Sequence, residues 1–273
     1  QKKLWQAGLR TMGDIARCSL GKPGEFYSEE LLYQMFGINA ELLIDHAWGY
    51  ESCTIAQIRA YKPQSSSLGC GQVLHCPYTA DKARIVVQEM IDGISLELVE
   101  KRLVTDQLVL TVGYDIENLT RPERRKVYKG PVTTDRYGRR VPKHAHGTWN
   151  LPRATSSSSE LLEAMAALYD KIVNPALLIR RMSLSACHVV NEKMAKEREQ
   201  KETFEQLDLF TDYAKKEAKE KEEQKKRERE RRMQEALLTI KKKYGKNAVL
   251  RGMNFEEGAT AKERNGQIGG HQA

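Results

Sequence analysis

A strand that leads directly into a strongly basic connection is the feature that most constrains this chain. Residues 105–115 read Thr-Asp-Gln-Leu-Val-Leu-Thr-Val-Gly-Tyr-Asp. The alternating positions 108, 110 and 112 are Leu, Leu and Val, and the positions after each of them are Val, Thr and Gly. Because both faces are largely apolar and β-branched residues are frequent, the pattern predicts a strand in the interior of a sheet.

The connection that follows, 121–153, concentrates positive charge. It holds ten Lys or Arg against two acids, Glu123 and Asp135, and its net charge of +8 equals the formal net charge of the whole chain. The cations are Arg121, Arg124, Arg125, Lys126, Lys129, Arg136, Arg139, Arg140, Lys143 and Arg153. Such a segment next to a buried strand is typical of proteins that bind a phosphate backbone. The alternative is a solvated loop without a ligand.

Composition and cysteine usage narrow the class of protein. The 273 residues allow one or two domains, and the sequence has no run of eighteen apolar residues that could span a membrane. It begins Gln1-Lys2-Lys3 without an apolar leader, so we expect no secretory signal and a longer parent protein. Five scattered cysteines without a Cys-x-x-Cys pair indicate reduced thiols in the cytoplasm. The spacings of Cys70, His75 and Cys76 fit no common zinc pattern, and we expect no bound metal.

Residues 1–60 predict a small helical domain. Its first turn, Gly8-Leu9-Arg10-Thr11 followed by Gly13, joins two short helical patterns. This turn is typical of a helix-hairpin-helix, in which N–H groups at a helix start meet a nucleic-acid phosphate. An ordinary turn between two helices also favours Gly followed by an N-capping Thr. Two further helices are expected over 28–37 and 39–49, and a polar tether over 61–65.

Residues 66–190 predict the order β-α-β-β-α-β, and therefore an α+β domain. The strands are expected near 68–75, 105–115, 146–154 and 179–190, with amphipathic helices at about 79–102 and 160–174. In this arrangement both helices pack on one side of a sheet with antiparallel pairs. The other side of the sheet is left free for a partner.

The C-terminal part predicts a charged helix followed by a tail. Residues 192–235 carry fourteen Lys or Arg and fourteen Asp or Glu, so a solvated helix is expected over 191–235. An apolar interruption at 204–213 indicates a linear motif for a partner's groove, with a short coiled-coil seam as the alternative. The remainder, 236–273, is rich in Gly and polar residues, and we expect it to be largely disordered.

Several of these sequences together resemble the C-terminal half of a Y-family (translesion) DNA polymerase of the bacterial UV-damage-repair branch. The turn at 8–11 is similar to the family's thumb hairpin, and Ser65-Ser66-Ser67-Leu68-Gly69-Cys70-Gly71 to the first strand of its little-finger domain. Ile179-Arg180-Arg181-Met182-Ser183-Leu184 is similar to the last strand of that domain. Gln206-Leu207-Asp208-Leu209-Phe210 resembles the sliding-clamp motif Gln-x-x-Leu-Phe, and 249–255 resembles the ending of that branch.

The resemblance implies a DNA-binding part of a polymerase that acts in DNA repair and translesion synthesis. In that family the catalytic palm, with its Mg²⁺-binding carboxylates, precedes the thumb, and no segment of this chain matches it. We therefore expect DNA binding without catalysis and without a cofactor. The resemblance also implies a cytoplasmic, nucleoid-associated monomer. Gln206, Leu207, Asp208, Leu209 and Phe210 would bind the sliding clamp. The DNA contacts would come from Gly8, Leu9, Arg10, Thr11, Gly13, Ser67, Gly69, Arg121, Arg124, Arg125, Lys126, Arg139, Arg140, Lys143, Arg180 and Arg181.

Two other functions remain open on the sequence. One is a non-catalytic α+β interaction module that recruits a protein partner through its charged helix. The other is an RNA-binding domain, because β-α-β-β-α-β also describes folds that stack bases on a sheet. The aromatic residues Tyr114, Tyr128 and Tyr137 are not spaced as paired platforms on adjacent strands, which argues against that reading.

Overall fold

The chain divides into two compact units, 1–64 and 65–273, which we describe separately. The computed structural model describes residues 1–61, 66–135, 137–202, 213–268 and 271–272. The first unit is helical, and the second is an α+β domain built on an antiparallel sheet.

The described part of the first unit, 1–61, contains five short helices. They are α1 (Lys2–Gln6), α2 (Met12–Cys18), α3 (Glu29–Phe36), α4 (Asn39–Ala47) and α5 (Ile55–Ala60). Their small core is made by Leu9, Ile15, Cys18, Leu32 and Ala40. Capping boxes begin two of them, Thr11 with Asp14 at α2 and Thr54 with Gln57 at α5, so N-terminal signals in the sequence define these starts.

The second unit follows the predicted order β-α-β-β-α-β, with a small hairpin inserted. Its main elements are β1 (Leu68–Tyr78), α6 (Ala80–Lys101), β2 (Leu103–Tyr114), β5 (Ala145–Thr155), α9 (Ser158–Ile172) and β6 (Ile179–Cys187). Between β2 and β5 lie α7 (Glu117–Thr120), α8 (Pro122–Val127), β3 (Val132–Thr134) and β4 (Arg140–Pro142). The two short strands pair with each other and form a separate hairpin.

The main sheet has the strand order β1-β6-β2-β5, and these neighbours are antiparallel. The short β7 (Val190–Asn191) extends it by pairing with the start of β2. The prediction that β2 is an interior strand is confirmed, because β2 is hydrogen-bonded to β6 on one side and β5 on the other.

Helices α6 and α9 cover one face of this sheet. Inward side chains of the strands, such as Leu110 and Leu184, are fully buried against helix residues such as Ile91 and Met165. The alternation of buried and exposed positions along β5 and β6 therefore separates a core face from an open face. Among the described residues of this unit, outward positions of the other face, such as Ser183 and His146, are exposed, as the sequence predicted.

The C-terminal helix differs from expectation in its packing. The structure describes α10 (Glu192–Glu202) and α11 (Tyr213–Tyr244), with 203–212 outside the described residues, and α11 docks on the domain instead of being solvated. Gln234 is 2% exposed and donates to the Ser156 carbonyl oxygen and the Ser158 hydroxyl. Because α11 is held by hydrogen bonds from a polar side chain, its sequence shows no periodic row of apolar residues. Such a sequence predicts a solvated helix.

The prediction that 236–273 is largely disordered was wrong. After α11 the chain turns at Gly245 and forms a 3₁₀ helix (Gly252–Phe255), α12 (Ala261–Arg264), β8 (Gln267–Ile268) and β9 (His271–Gln272). The Glu89 carboxylate of α6, 3% exposed, accepts hydrogen bonds from Asn254 Nδ2 and from the N–H groups of Thr260 and Ala261. A buried polar anchor, rather than apolar burial, holds this segment in place.

Candidate nucleic-acid interface

The predicted hairpin turn of the first unit is closed by its own acid. Asp14 Oδ2 accepts the N–H groups of Arg10 at 3.0 Å and Thr11 at 2.9 Å, and the Thr11 hydroxyl accepts the Asp14 N–H at 3.1 Å. These backbone hydrogen bonds, with the Arg17 guanidinium, lower the pKa of Asp14 from 3.8 to about 2. The carboxylate therefore occupies the position in which a phosphate was expected to meet Arg10 and Thr11.

In the rest of that turn, some N–H groups are bonded within the unit and others have no acceptor in the helix. The N–H groups of Gly8 and Leu9 donate to the carbonyl oxygens of Trp5 and Leu4, and the Leu9 side chain belongs to the core. Met12 and Gly13 are the first two residues of α2, where N–H groups have no acceptor within the helix. A phosphate contact at this turn stays a prediction, and Gly13 is the position whose N–H group suits it best.

In the second unit, Arg180 and Arg181 lie at the end of the sheet from which the segment with the other predicted cations departs. Asp115 directly follows β2 and forms an ion pair with Arg180, with 3.8 Å between Asp115 Oδ2 and Arg180 Nε. The Asp115 N–H donates to the Leu178 carbonyl oxygen at 2.8 Å. Arg180 also donates to the His75 carbonyl oxygen at 2.9 Å. The ends of β1 and β2 and the start of β6 therefore meet where the segment 121–143 begins. We call this region the basic end.

The ten cations of 121–153 are not equivalent. Arg121 pairs with Glu117 at 2.6 Å, Arg139 pairs with Asp135 at 2.8 Å, and Arg153 pairs with Glu160 away from the basic end. Arg136 lies outside the described residues. Within the described ranges, no acid lies at ion-pair distance from the remaining six, which we call the unpaired cations: Arg124, Arg125, Lys126, Lys129, Arg140 and Lys143.

The open face of the sheet is lined by small and hydroxyl-bearing side chains. One row across it reads Gly71, Ser183, Thr111 and His146, with the Thr111 hydroxyl 2.9 Å from His146 Nδ1. The outward positions are Gly69, Gly71 and Val73 of β1, Arg181, Ser183 and Ser185 of β6, Gln107, Val109, Thr111 and Gly113 of β2, and His146, Thr148 and Asn150 of β5. Hydroxyl groups on a shallow surface are suited to hydrogen bonds with phosphate oxygens.

Arg181 lies flat across this face because its neighbour is a glycine. A Cβ placed on Gly113 would come within 2.6 Å of Arg181 Cγ and Nε. The sequence therefore positions one cation on the open face, at the same end as the unpaired cations.

The remaining predicted residues do not join this group. Gly69 pairs with Ser185, and Ser67 precedes β1 at the end opposite Arg181. Gly69 lies four strand positions from Val73, the partner of Arg181, a distance of about 13 Å. The predicted clamp motif, Gln206, Leu207, Asp208, Leu209 and Phe210, lies outside the described residues.

Sequence reasoning missed the acids that neutralise part of the basic segment. Glu117 stands four residues before Arg121, and this i, i+4 spacing is the sequence signal for the pair. Glu160 pairs with Arg153 across a strand-to-helix connection, which has no such signal. A cavity between α8 and the turn before β6, lined by Tyr128 and Leu177, was also not foreseen.

Three further observations concern metal binding, membrane insertion and similarity to known proteins. In the ranges that the structure describes, no three His, Cys, Asp or Glu side chains are grouped so as to hold a metal ion. None of the helices in those ranges combines the length and apolar character needed to cross a bilayer. The chain matches no protein-family model, and a search of curated proteins finds no significant match.

Proposed function

We propose that this chain is the DNA-binding part of a Y-family DNA polymerase that acts in translesion synthesis. In this proposal the second unit, as a little-finger domain, holds primer–template duplex on the open face of its sheet and at its basic end. The first unit, as a thumb, adds a backbone contact at the turn before α2. The catalytic step belongs to the parent protein's palm and its Mg²⁺ ions, and no step is assigned to this chain.

One observation carries the proposal: the open sheet face ends, at Arg181, at the same edge of the sheet from which the segment with the unpaired cations departs. Ser183 and Thr111 offer hydroxyl donors on the face, and Arg181 lies beside them at the end where Arg180 and Asp115 meet. Lys126 and Lys143 belong to the segment that leaves that end. Hydroxyl and cationic contacts to phosphates position a duplex without reading its sequence, as an enzyme that copies damaged template requires.

The chemistry of the face favours DNA backbone over stacked RNA bases. Its outward positions, all in the described part of the chain, include no Phe, Tyr or Trp on which bases could stack. Tyr114 is buried at 7% exposure, and Tyr137 lies in the separate hairpin region. A protein-interaction module without a DNA role is the remaining rival, and it predicts no salt-dependent binding to DNA.

Recruitment by a sliding clamp rests on the sequence 206–210 alone. Leu209 and Phe210 would be the apolar anchors and Gln206 the hydrogen-bonding group. Recruitment would raise the local concentration of the DNA-binding unit at the replication site.

The proposal is tested by measuring affinity for a labelled primer–template duplex across a salt series. We expect log Kd to rise linearly with log salt, with a slope of about 0.9 for each phosphate contacted. Primer–templates that differ in duplex sequence but share one overhang sequence should bind alike, because the contacts to the duplex are to its backbone. Absence of binding at low salt, or equal binding at all salt concentrations, would leave the protein-interaction reading in its place.

A further inference from the structure

A cavity of about 240 Å³ opens beside the unpaired cations. Its apolar wall is formed by Val127 of α8 together with Ala176 and Leu177 from the turn before β6, and the Tyr128 ring completes it. Cavities for drug-sized ligands occupy about 300–1,000 Å³. This cavity is therefore suited to one ring system rather than a whole nucleotide or cofactor.

Hydrogen bonds hold the walls of the cavity in place. The Tyr128 hydroxyl donates to the Pro131 carbonyl oxygen at 2.8 Å, and Arg124 donates to the Ala176 carbonyl oxygen at 3.3 Å. The Ala176 N–H in turn donates to Asn174 Oδ1 at 3.0 Å. The site is therefore preformed, and a ligand need not order these side chains on binding.

Two polar groups at the cavity remain available to a ligand. Asn174 uses its Oδ1 within the turn, which leaves its Nδ2 as a donor. Glu123 is an acid in the most basic segment of the chain, and among the described residues no cation lies at ion-pair distance from it. A carboxylate repels phosphate, so its presence here indicates a ligand group that donates hydrogen bonds.

We propose that this cavity receives a single unstacked nucleobase of the bound DNA, with preference for a base that carries an exocyclic amino group. Val127, Leu177 and Tyr128 would contact the ring, and Glu123 would accept from the amino group, as carboxylates do from cytosine. Arg125 and Lys126, on the same helix as Glu123, would hold the flanking phosphates. This inference rests on the proposed function, because it assumes that the second unit binds DNA.

The test uses the full chain and a primer–template with a single-stranded template overhang. An abasic site is moved one nucleotide at a time through the overhang and the adjoining duplex, and Kd is measured for each DNA. We expect one position at which the abasic site weakens binding about tenfold. At that position cytosine, adenine or guanine should bind about fivefold tighter than thymine.

Two variants address the cavity itself. Ala176→Trp fills it from an exposed position, and Ala236→Trp, on the exposed surface of α11, is the matched control. Ala176→Trp should bind unmodified DNA about tenfold more weakly and lose its sensitivity to the abasic site, whereas the control should behave as the parent chain. Glu123→Gln should reduce the discrimination between cytosine and thymine while leaving the abasic effect.

The outcomes separate this inference from the proposed function. Salt-dependent binding with no position sensitive to the abasic site, and with equal affinities for the two Trp variants, would refute the base site and leave the DNA-binding function standing. If the unsubstituted chain does not bind DNA, both the base site and the DNA-binding function are refuted. Circular dichroism of Ala176→Trp verifies that the variant is folded. If it is misfolded, the base site is tested by Glu123→Gln and by the abasic scan of the unsubstituted chain.

Discussion

The Glu117 carboxylate lies 2.6 Å from the Arg121 guanidinium, one helical turn away. Arg121 is the first cation of the basic segment, and the neighbouring carboxylate offsets its charge at the surface that a phosphate would meet. Lys126, five residues later, has no such partner among the described residues. The charge of the segment is therefore distributed unevenly, and individual cations should differ in their contribution to DNA binding.

Single substitutions compare a paired with an unpaired cation at equal loss of charge. We expect Lys126→Ala to weaken binding to primer–template and to lower the log–log salt slope by about 0.9. Arg121→Ala should have a smaller effect, because Glu117 already neutralises that guanidinium. The two slopes are measured by fluorescence anisotropy, and a larger loss in Arg121→Ala would contradict this assignment.

The Glu89 carboxylate anchors the C-terminal segment to α6. Glu89→Gln replaces a charged acceptor with a neutral amide, whose single oxygen accepts more weakly from Thr260 and Ala261 and whose NH2 group faces Asn254 Nδ2. We expect a loss of stability on the order of 3 kcal/mol, measured by chemical denaturation, and faster hydrogen exchange at those two amides. Glu97→Gln, which alters an exposed pair with Lys101 on the same helix, is the control and should change little. Unchanged exchange at Thr260 and Ala261 would show that Glu89 is not the anchor.

The acid Asp14 gives the first unit a predictable response to low pH. Its pKa falls from 3.8 to about 2 because backbone N–H groups of Arg10 and Thr11 stabilise the charged form. A depressed folded-state pKa contributes stability that is present above about pH 4 and is lost as pH falls towards 2. NMR titration of the Asp14 carboxyl carbon should give a midpoint near 2, and Asp14→Asn should abolish that component of acid unfolding. A midpoint near the ordinary value of 3.8 would rule out the hydrogen bonds described.

Two glycines of the predicted hairpin turn should respond differently to substitution. Gly8 has a φ of +81°, and a Cβ there would lie 3.0 Å from the Tyr27 hydroxyl, so Gly8→Ala should destabilise the first unit by about 1 kcal/mol. Gly13 has no positive φ, and its nearest contact is an Arg17 nitrogen at 3.5 Å. Gly13→Ala should therefore keep or slightly raise the thermal midpoint, and an equal loss of stability in the two variants would contradict the geometry of the turn.

The sequence predicted those parts of the fold that depend on periodicity. Alternation of apolar residues located β2 in the interior of the sheet, and helical spacing located α6 and α9. These signals are strong because burial of one face requires apolar residues at every second, or every third and fourth, position.

What escaped prediction depends on polar contacts between distant residues. Glu89 meets Thr260 across 171 positions of the chain, and Gln234 meets Ser158 across 76. Such contacts bury charged or amide side chains that resemble solvated residues in the sequence. The candidate site shows the same division: the cation count identified the basic segment, and the i, i+4 partners of Arg121 and Arg139 are readable from spacing, but the pairing of Arg153 with Glu160 depended on the folded arrangement.

The central claim is that the unpaired cations hold DNA, and one comparison tests it most directly. Lys126, Lys129, Arg140 and Lys143 are changed together to Ala in one variant, and Lys225, Lys226, Arg229 and Arg232 of α11 in a matched second variant. Both lose four positive charges, and affinity for primer–template is measured for each across the salt series.

If the basic end holds the duplex, the first variant should lose affinity and its log–log salt slope should fall by about 0.9 for each contact removed, while the second keeps a slope close to that of the parent chain. Equal slopes in the two variants would show that binding follows net charge alone, and would contradict a DNA interface at the basic end.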